Sequence, residues 1–145
     1  MKLRIIFIFS AMLMSVIFGC SKDDSPSDSL VGEWIGNDVY AITTRGDSKS
    51  HESIVFAKEK RSKIVFNADG TGVDDYFDEA GEPAQEKFTY TVSGNQMTFT
   101  SSDGEVINFT VSISVYQSIA RLTAVRKEEE PNGVQHENRL HYIRR

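Results

Sequence analysis

The feature that most constrains the fold is a strict alternation of apolar and polar residues in the second half of the chain. In the longest stretch, apolar side chains occupy every second position from Ile107 to Val115, with Asn, Thr or Ser between them. The same alternation occurs in 88–92 and 97–100. This period of two is typical of β-strands that have one buried and one exposed face. It predicts an all-β domain.

Turn signals separate these stretches and determine how the strands connect. Gly, Asn and Asp concentrate in four segments, 67–70, 93–95, 101–104 and 131–133, where tight turns need residues that tolerate positive φ. Connections this short leave no room for crossover helices, so neighbouring strands run antiparallel. We predict nine strands, near residues 32–43, 52–58, 62–67, 71–78, 86–93, 95–101, 105–115, 118–127 and 135–144. Residues 57–61 would also suit a short helix.

Eight or nine antiparallel strands in sequence form an up-and-down meander. Such a meander either closes into a barrel or folds into a two-sheet sandwich. Closure removes the exposed strand edges that promote aggregation. We therefore favour a small barrel.

The N-terminal residues have the pattern of an exported lipoprotein. Two basic residues near the start precede an apolar run from Ile5 to Phe18, and Gly19 and Cys20 follow directly. The run is shorter than the roughly 20 residues that a helix needs to cross a bilayer, and it has the length of a secretory signal. We expect 1–19 to be a signal peptide, cleaved before Cys20, which then carries the lipid. The alternative is an ordinary signal or anchor with an incidental cysteine.

The ten residues 20–29 follow this site and predict a lipidated N-terminus with a disordered acidic tether. They are rich in Ser and Asp and contain no large apolar side chain that would support folding. The order Cys-Ser-Lys-Asp-Asp at 20–24 resembles the export signal of surface lipoproteins in some Gram-negative bacteria. That resemblance implies a lipid-anchored protein of the outer membrane, exposed on the cell surface. A position on the periplasmic face is the alternative.

Charge and cysteine content exclude several classes of partner and site. Loss of 1–19 would change the net charge from −5 to −7, because that segment contains two basic residues and no acidic ones. Binding of nucleic acid or of anionic lipid headgroups needs clusters of Lys and Arg, so the acidic charge argues against both as partners, and we expect no nucleic acid. Cys20 is the only cysteine, so the domain has no internal disulfide. The remaining residues, 30–145, suffice for one domain.

The beginning of this domain resembles the lipocalins. Gly32 and Trp34 match the Gly-x-Trp with which lipocalins open their first strand. The segments 30–34, 64–71 and 88–99 are similar to the small lipocalin-like domains of many bacterial lipoproteins. The Thr-Asp-Tyr motif of the main lipocalins is missing, so ligand-binding residues are not transferred from that family. The resemblance implies a lipocalin-like barrel over 30–145.

The resemblance also implies how one barrel end is closed. In lipocalins the tryptophan lies beneath an arginine of the last strand, and here Arg139 and Arg144 are the two candidates for that partner of Trp34. About eight strands enclose an interior that holds packed side chains or one small ligand. Five aromatic residues of the alternating stretches are expected to line such a cavity: Phe88, Tyr90, Phe99, Phe109 and Tyr142.

Motifs for catalysis or metal binding fail on spacing. His136 and His141 are five residues apart, whereas a zinc protease needs two histidines four apart on a helix. The Asn and Asp residues of 67–78 do not match the register of a calcium-binding EF-hand loop. A hydrolase would require distant carboxylates, such as Glu33 and Asp38, to converge. We expect no enzyme activity, no metal and no cofactor.

Two functions therefore remain. The first is a membrane-anchored, non-enzymatic lipocalin-like protein that binds a small apolar or amphipathic ligand. The alternative is a surface interaction module that has a filled core and binds a protein or glycan through the loops 44–50 and 78–85. The sequence leaves the oligomeric state open.

Overall fold

Nine antiparallel strands and one short 3-10 helix, Lys58–Lys60, form the domain in a computed structural model that describes residues 30–144. The predicted signal peptide, Cys20 and the predicted tether lie outside the described residues. The strands are β1 (Gly32–Arg45), β2 (Ser48–Val55), β3 (Lys63–Phe66), β4 (Thr71–Phe77), β5 (Pro83–Ser93), β6 (Gln96–Ser101), β7 (Val106–Tyr116), β8 (Ile119–Glu129) and β9 (Gln135–Arg144). The prediction of an all-β antiparallel fold is confirmed.

Eight of the nine strands close into a barrel. They pair in the order β1, β3, β4, β5, β6, β7, β8 and β9. The last strand then pairs with the first, from Ile35 opposite Ile143 to Thr44 opposite Gln135. This pairing of β1 with β9 closes the sheet on itself, so the domain is a barrel and the sandwich alternative is excluded.

β2 is an additional strand outside the closed barrel. It pairs along the second half of β1, from Asp38 opposite Val55 to Arg45 opposite Ser48. Within the described residues it pairs with no other strand. It begins four residues earlier than predicted, because all of its side chains are exposed and its sequence therefore lacks the alternation that marks a half-buried strand. The residues that follow β2 include the short helix Lys58–Lys60, which lies in the segment 57–61 whose sequence also suited a helix.

A cluster of aromatic side chains fills the centre of the barrel. Phe88 stacks on Phe99 with ring centroids 4.3 Å apart, and Phe66 packs edge-on against Tyr90 at 5.0 Å. Gly72 faces the Phe88 ring so closely that a Cβ atom there would lie 2.1 Å from a ring carbon. Glycine is therefore required at this position for the aromatic cluster to pack.

The two ends of the barrel differ in charge. We call the end at which β1 begins the tryptophan end; its turns are 67–70, 94–95 and 117–118. We call the opposite end the acidic end, because the connections there carry many acidic residues. These are Asp47, Asp78, Glu79, Glu82, Asp103, Glu105 and Glu130.

Candidate functional site

Trp34 closes the tryptophan end of the barrel. Its side chain is fully buried, and its Nε1 donates a hydrogen bond to the carbonyl oxygen of Leu30 over 2.7 Å. The guanidinium carbon of Arg144 lies 4.3 Å from the centroid of the Trp34 ring, and its Nη1 donates to the carbonyl oxygen of Val31 over 2.9 Å. A cation on the face of an indole ring is attracted by the ring's negative π face. This end is therefore sealed by β1, β9 and the residues before β1.

The other residues predicted for this barrel end lie as follows. Gly32 has a φ of +126°, and a Cβ atom there would lie 3.1 Å from Nη1 of Arg144, so both its conformation and its space favour glycine. Arg139 is in the same strand as Arg144, but its Nε donates to Glu137 over 2.6 Å on the exposed surface. Arg144 is thus the arginine that contacts Trp34.

A cavity of about 560 Å³ opens on the side of the barrel, above this sealed end. It exists because β3 has only four residues, so it pairs with β1 only from Gly32 to Ile35. Further along, the segment 56–62 and the loop 78–81 border the gap between β1 and β4. The cavity is therefore a lateral opening of the barrel.

The walls of the cavity combine apolar surface with charged groups, which include Asp74 and, at the bordering segments, Lys60, Asp78 and Glu79. Val39 of β1, together with Leu140 and Tyr142 of β9, forms one wall, and Asp74 and Tyr76 of β4 lie on the other side. Small-molecule sites in proteins have this composition, with mostly apolar walls and a few polar groups that orient the ligand. The cavity is therefore our candidate site.

Asp74 is the electrostatically unusual residue of the cavity. Its Oδ1 is buried and has no hydrogen-bond partner within the described residues. Burial raises the pKa of its carboxyl group to about 6, and the nearby charges of Glu86 and Asp75 contribute to the increase. Burial also raises the pKa of the Tyr142 hydroxyl, to which the charge of Asp74 adds. A carboxyl group without a donor in an apolar wall is costly when it ionises.

A second carboxyl group, Asp38, lies at the rim of the cavity and has a donor. It accepts hydrogen bonds from Asn37 and from Nδ1 of His141. Burial acts to raise the pKa of Asp38, but these hydrogen bonds outweigh it and hold the pKa below the usual range. Glu33, the other carboxylate considered for hydrolysis, instead forms an ion pair with Lys63, with 3.8 Å between Oε2 and Nζ.

The five residues predicted to line a cavity are divided between the core and the site. Tyr142 lies on the cavity wall. The other four pack against one another or their neighbours in the aromatic cluster below it: Phe88, Tyr90, Phe99 and Phe109. Contact of any of the five with a ligand stays a prediction.

The sequence pattern did not reveal Asp74. In 71–77 the residues at odd positions include Val73 and Phe77, so alternation alone points Val73 toward the interior and Asp74 outward. The register reverses this, because Asp74 lies opposite Glu86, which shares the inward parity of Phe88. Glu86 lies two residues before Phe88 and therefore faces the same side of β5. That position was the signal in the sequence that could have revealed an inward-facing Asp74.

Among the described residues, neither the histidines nor the acidic side chains are grouped as a metal centre. His136 bonds Glu130 and Thr43, whereas His141 bonds Asp38. Within residues 30–144 no three His, Cys, Asp or Glu side chains are placed to hold a metal ion. That same part of the chain contains no helix that is long and apolar enough to cross a membrane.

Comparison with solved structures finds matches to distant proteins. A double mutant of transferrin binding protein B from Haemophilus parasuis Hp5 matches 79% of this chain with a TM-score of 0.45 and 13% identity. Lobster apocrustacyanin A1 matches 81% of it with a TM-score of 0.48 and 13% identity. The matched regions span 26% and 62% of those two chains, respectively.

Sequence comparison identifies the family. No curated protein matches the chain significantly. The family model described as a lipocalin-like domain matches residues 30–116, which is more than half of the chain. This match includes Trp34, the short β3 and the aromatic cluster. The chain therefore belongs to the lipocalin-like domain family.

Proposed function

We propose that this protein is a membrane-anchored, non-enzymatic lipoprotein whose barrel binds one small amphipathic molecule in the lateral cavity. The observation that carries the proposal is a buried, unpartnered oxygen of Asp74 on the wall of an open cavity of about 560 Å³. Ligand sites in proteins have volumes of roughly 300–1,000 Å³. A small molecule therefore fits the space, and the carboxyl group provides a point of attachment.

The walls define the chemistry of the ligand. An apolar portion would pack against Val39, Leu140 and Tyr142. The ionised carboxylate of Asp74 only accepts hydrogen bonds, so the polar end of the ligand must donate one, as an ammonium, amide or hydroxyl group does. Such a donor would offset the cost of burying the ionised carboxylate. The ligand class is therefore an amphipathic molecule with a hydrogen-bond donor at one end.

Copurification with a variant that fills the cavity tests this proposal. The mature protein, incubated with a bacterial lipid and metabolite extract and then repurified, should retain a stoichiometric small molecule that is identified by mass spectrometry after unfolding. Val39→Trp places a large ring in the cavity and should abolish retention. Thr91→Trp adds the same ring to the exposed face of β5 and should leave retention unchanged.

The outcomes separate three cases. Retention by the native protein and Thr91→Trp, but not by Val39→Trp, supports the cavity as the site. Retention by Val39→Trp as well would place the ligand elsewhere and overturn the assignment. A native protein that retains nothing would favour the surface interaction module instead. One observation supports that alternative: the loops 44–50 and 78–85 both lie at the acidic end of the barrel.

The membrane anchor is the second part of the proposal. The apolar run before Gly19 and Cys20 supports lipid attachment at Cys20, and Cys-Ser-Lys-Asp-Asp supports export to the cell surface. The mass of the N-terminal peptide should exceed that of the bare residues by the acyl chains, and Cys20→Ser should remove this excess. Protease added to intact cells should cleave the protein. Protection until the outer membrane is opened would instead place it on the periplasmic face.

A further inference from the structure

We propose that the tip of the β7–β8 hairpin, residues 115–119, contacts the lipid bilayer beside the anchor, so that the barrel stands on the membrane on its tryptophan end. This inference rests on the proposed lipid at Cys20 and goes beyond ligand binding. The tip exposes three large apolar side chains: Tyr116 is 76% exposed, Val115 70% and Ile119 38%. Tyr116 and Ile119 pair across the hairpin on one face, and Val115 is exposed on the other face. Large exposed apolar surface usually marks a contact with a partner or a membrane.

A tight two-residue turn forms the tip. Gln117 and Ser118 have φ values of 48° and 64°, and they form a two-residue connection between β7 and β8. Two successive residues with positive φ are the mark of a type I′ hairpin turn. The apolar residues flanking this turn extend past the buried core, whose nearest members in these strands are Val111 and Leu122.

The tip lies next to the point where the chain enters the barrel. Leu30 is buried at the tryptophan end, and Arg144 donates to the carbonyl oxygen of Val31. In the β8–β9 register, Arg144 lies opposite Ala120, which directly follows Ile119. One strand, β9, therefore lies between the entering chain and the hairpin that carries the tip.

Chain length then limits how far this end can lie from the membrane. Cys20 precedes Leu30 by ten residues. Ten residues span at most about 35 Å when fully extended. A lipid on Cys20 would hold the tryptophan end within that distance of the bilayer, so the tip would be present there at high effective concentration.

The distribution of charge favours the same orientation. The turns of the tryptophan end contain one acidic residue, Asp69, and residues 115–119 contain no charged side chain. Arg121 lies near the tip on β8, and Arg144 ends β9. The opposite end carries the seven acidic residues named above, which anionic headgroups would repel. Tyrosine is enriched at the membrane–water interface, where its ring is buried and its hydroxyl group stays hydrated. The occupant that fits this surface is therefore a lipid bilayer.

Spin labels at the two ends test the contact. The mature lipoprotein is placed in vesicles of phosphatidylethanolamine and phosphatidylglycerol, with a single label introduced by Tyr116→Cys or, at the acidic end, by Ala80→Cys. Because the lipid would occupy the thiol of Cys20, each introduced cysteine is the only free thiol. The ratio of oxygen to nickel-chelate accessibility should be several-fold higher at 116 than at 80, since oxygen partitions into the bilayer and the chelate does not. Equal ratios would overturn the tip contact.

A second variant and a mass measurement keep the result interpretable. Adding Val115→Ser and Ile119→Ser to the Tyr116→Cys protein should bring its ratio down to that at 80, while circular dichroism reports that the barrel is folded. An unchanged ratio would mean that these side chains do not hold the tip in the bilayer. The mass of the N-terminal peptide is measured first. Bare Cys20 would overturn the anchor and this inference together, whereas lipidated Cys20 with equal ratios would overturn the tip contact alone.

Discussion

Asp74 links a single buried carboxyl group to the stability of the whole domain. Its pKa is raised from 3.8 to about 6, chiefly by burial. The native state therefore holds a proton that the unfolded chain has released between these two values. The contribution of this carboxyl group to the free energy of unfolding is fully present below pH 4 and is lost as the pH rises through 6. At higher pH it does not change further. A shift of this size corresponds to about 3 kcal/mol.

Replacing this group should remove the pH dependence. Asp74→Asn keeps the shape and cannot ionise, so the free energy of unfolding at pH 8 should rise by up to about 3 kcal/mol, with little change at pH 4. Urea unfolding at a series of pH values measures the difference.

The matched control is Asp75→Asn, on the opposite face of the same strand. Asp75 accepts a hydrogen bond from Gln85 over 2.6 Å and lies 3.5 Å from Nζ of Lys63. Loss of this exposed pair should lower the free energy of unfolding at pH 8 by at most about 1 kcal/mol. Part of that loss is offset, because the charge of Asp75 contributes to the raised pKa of Asp74. An Asp74→Asn protein whose unfolding parallels the native protein at every pH would contradict the role of burial.

Individual residues were only partly predictable from the sequence. The Gly-x-Trp motif indicated Trp34 but not the arginine that contacts it. Arg139 and Arg144 are five residues apart in a strand and therefore face opposite sides, and the sequence does not show which side faces Trp34. The register of β9 on β1 decides between them, and no local pattern encodes that register. Asp74 was missed because Val73 and Phe77 give the opposite alternation in β4.

At the level of elements, the β7–β8 turn carries backbone strain that a substitution can release. Ser118 has a φ of 64°, a region that costs a residue with a Cβ atom about 1 kcal/mol. Ser118→Gly should therefore raise the free energy of unfolding by about 1 kcal/mol in urea denaturation. Ser102→Gly is the control, since Ser102 has negative φ and glycine there only increases the freedom of the unfolded chain. Stabilisation by both substitutions would contradict this account.

Strand positions were predictable wherever one face is buried. The bounds of β6, β7 and β8 were predicted to within two residues. In β6 and β7, burial of every second side chain produces the alternation that was visible in the sequence. β5 begins at Pro83 rather than 86, since its first residues lie beyond the core and show no apolar stripe. β2 is exposed throughout, so its sequence carries no such mark.

Closure is a property of the whole molecule, because it joins the two ends of the domain. β1 pairs with β9 across about a hundred residues, and β9 also pairs with β8. The argument from exposed edges favoured a barrel, yet local sequence could not show which strands meet. The lateral cavity was equally hidden, since it depends on where β3 ends relative to β1 and β4.

β9 pairs with two strands and closes the barrel, whereas β2 pairs with one strand outside it, so replacing each of them should affect folding differently. Replacing Gln135–Arg144 by Gly and Ser residues of equal length removes two ladders and the Arg144 contact with Trp34, so the chain should fail to fold. The same replacement of Ser48–Val55 removes one ladder made by exposed side chains, and the barrel should persist with cooperative unfolding. Near-ultraviolet circular dichroism of Trp34 and urea unfolding measure both. Loss of structure in the second variant would mean that β2 is needed for closure, because the eight strands alone would then be unable to hold the barrel shut.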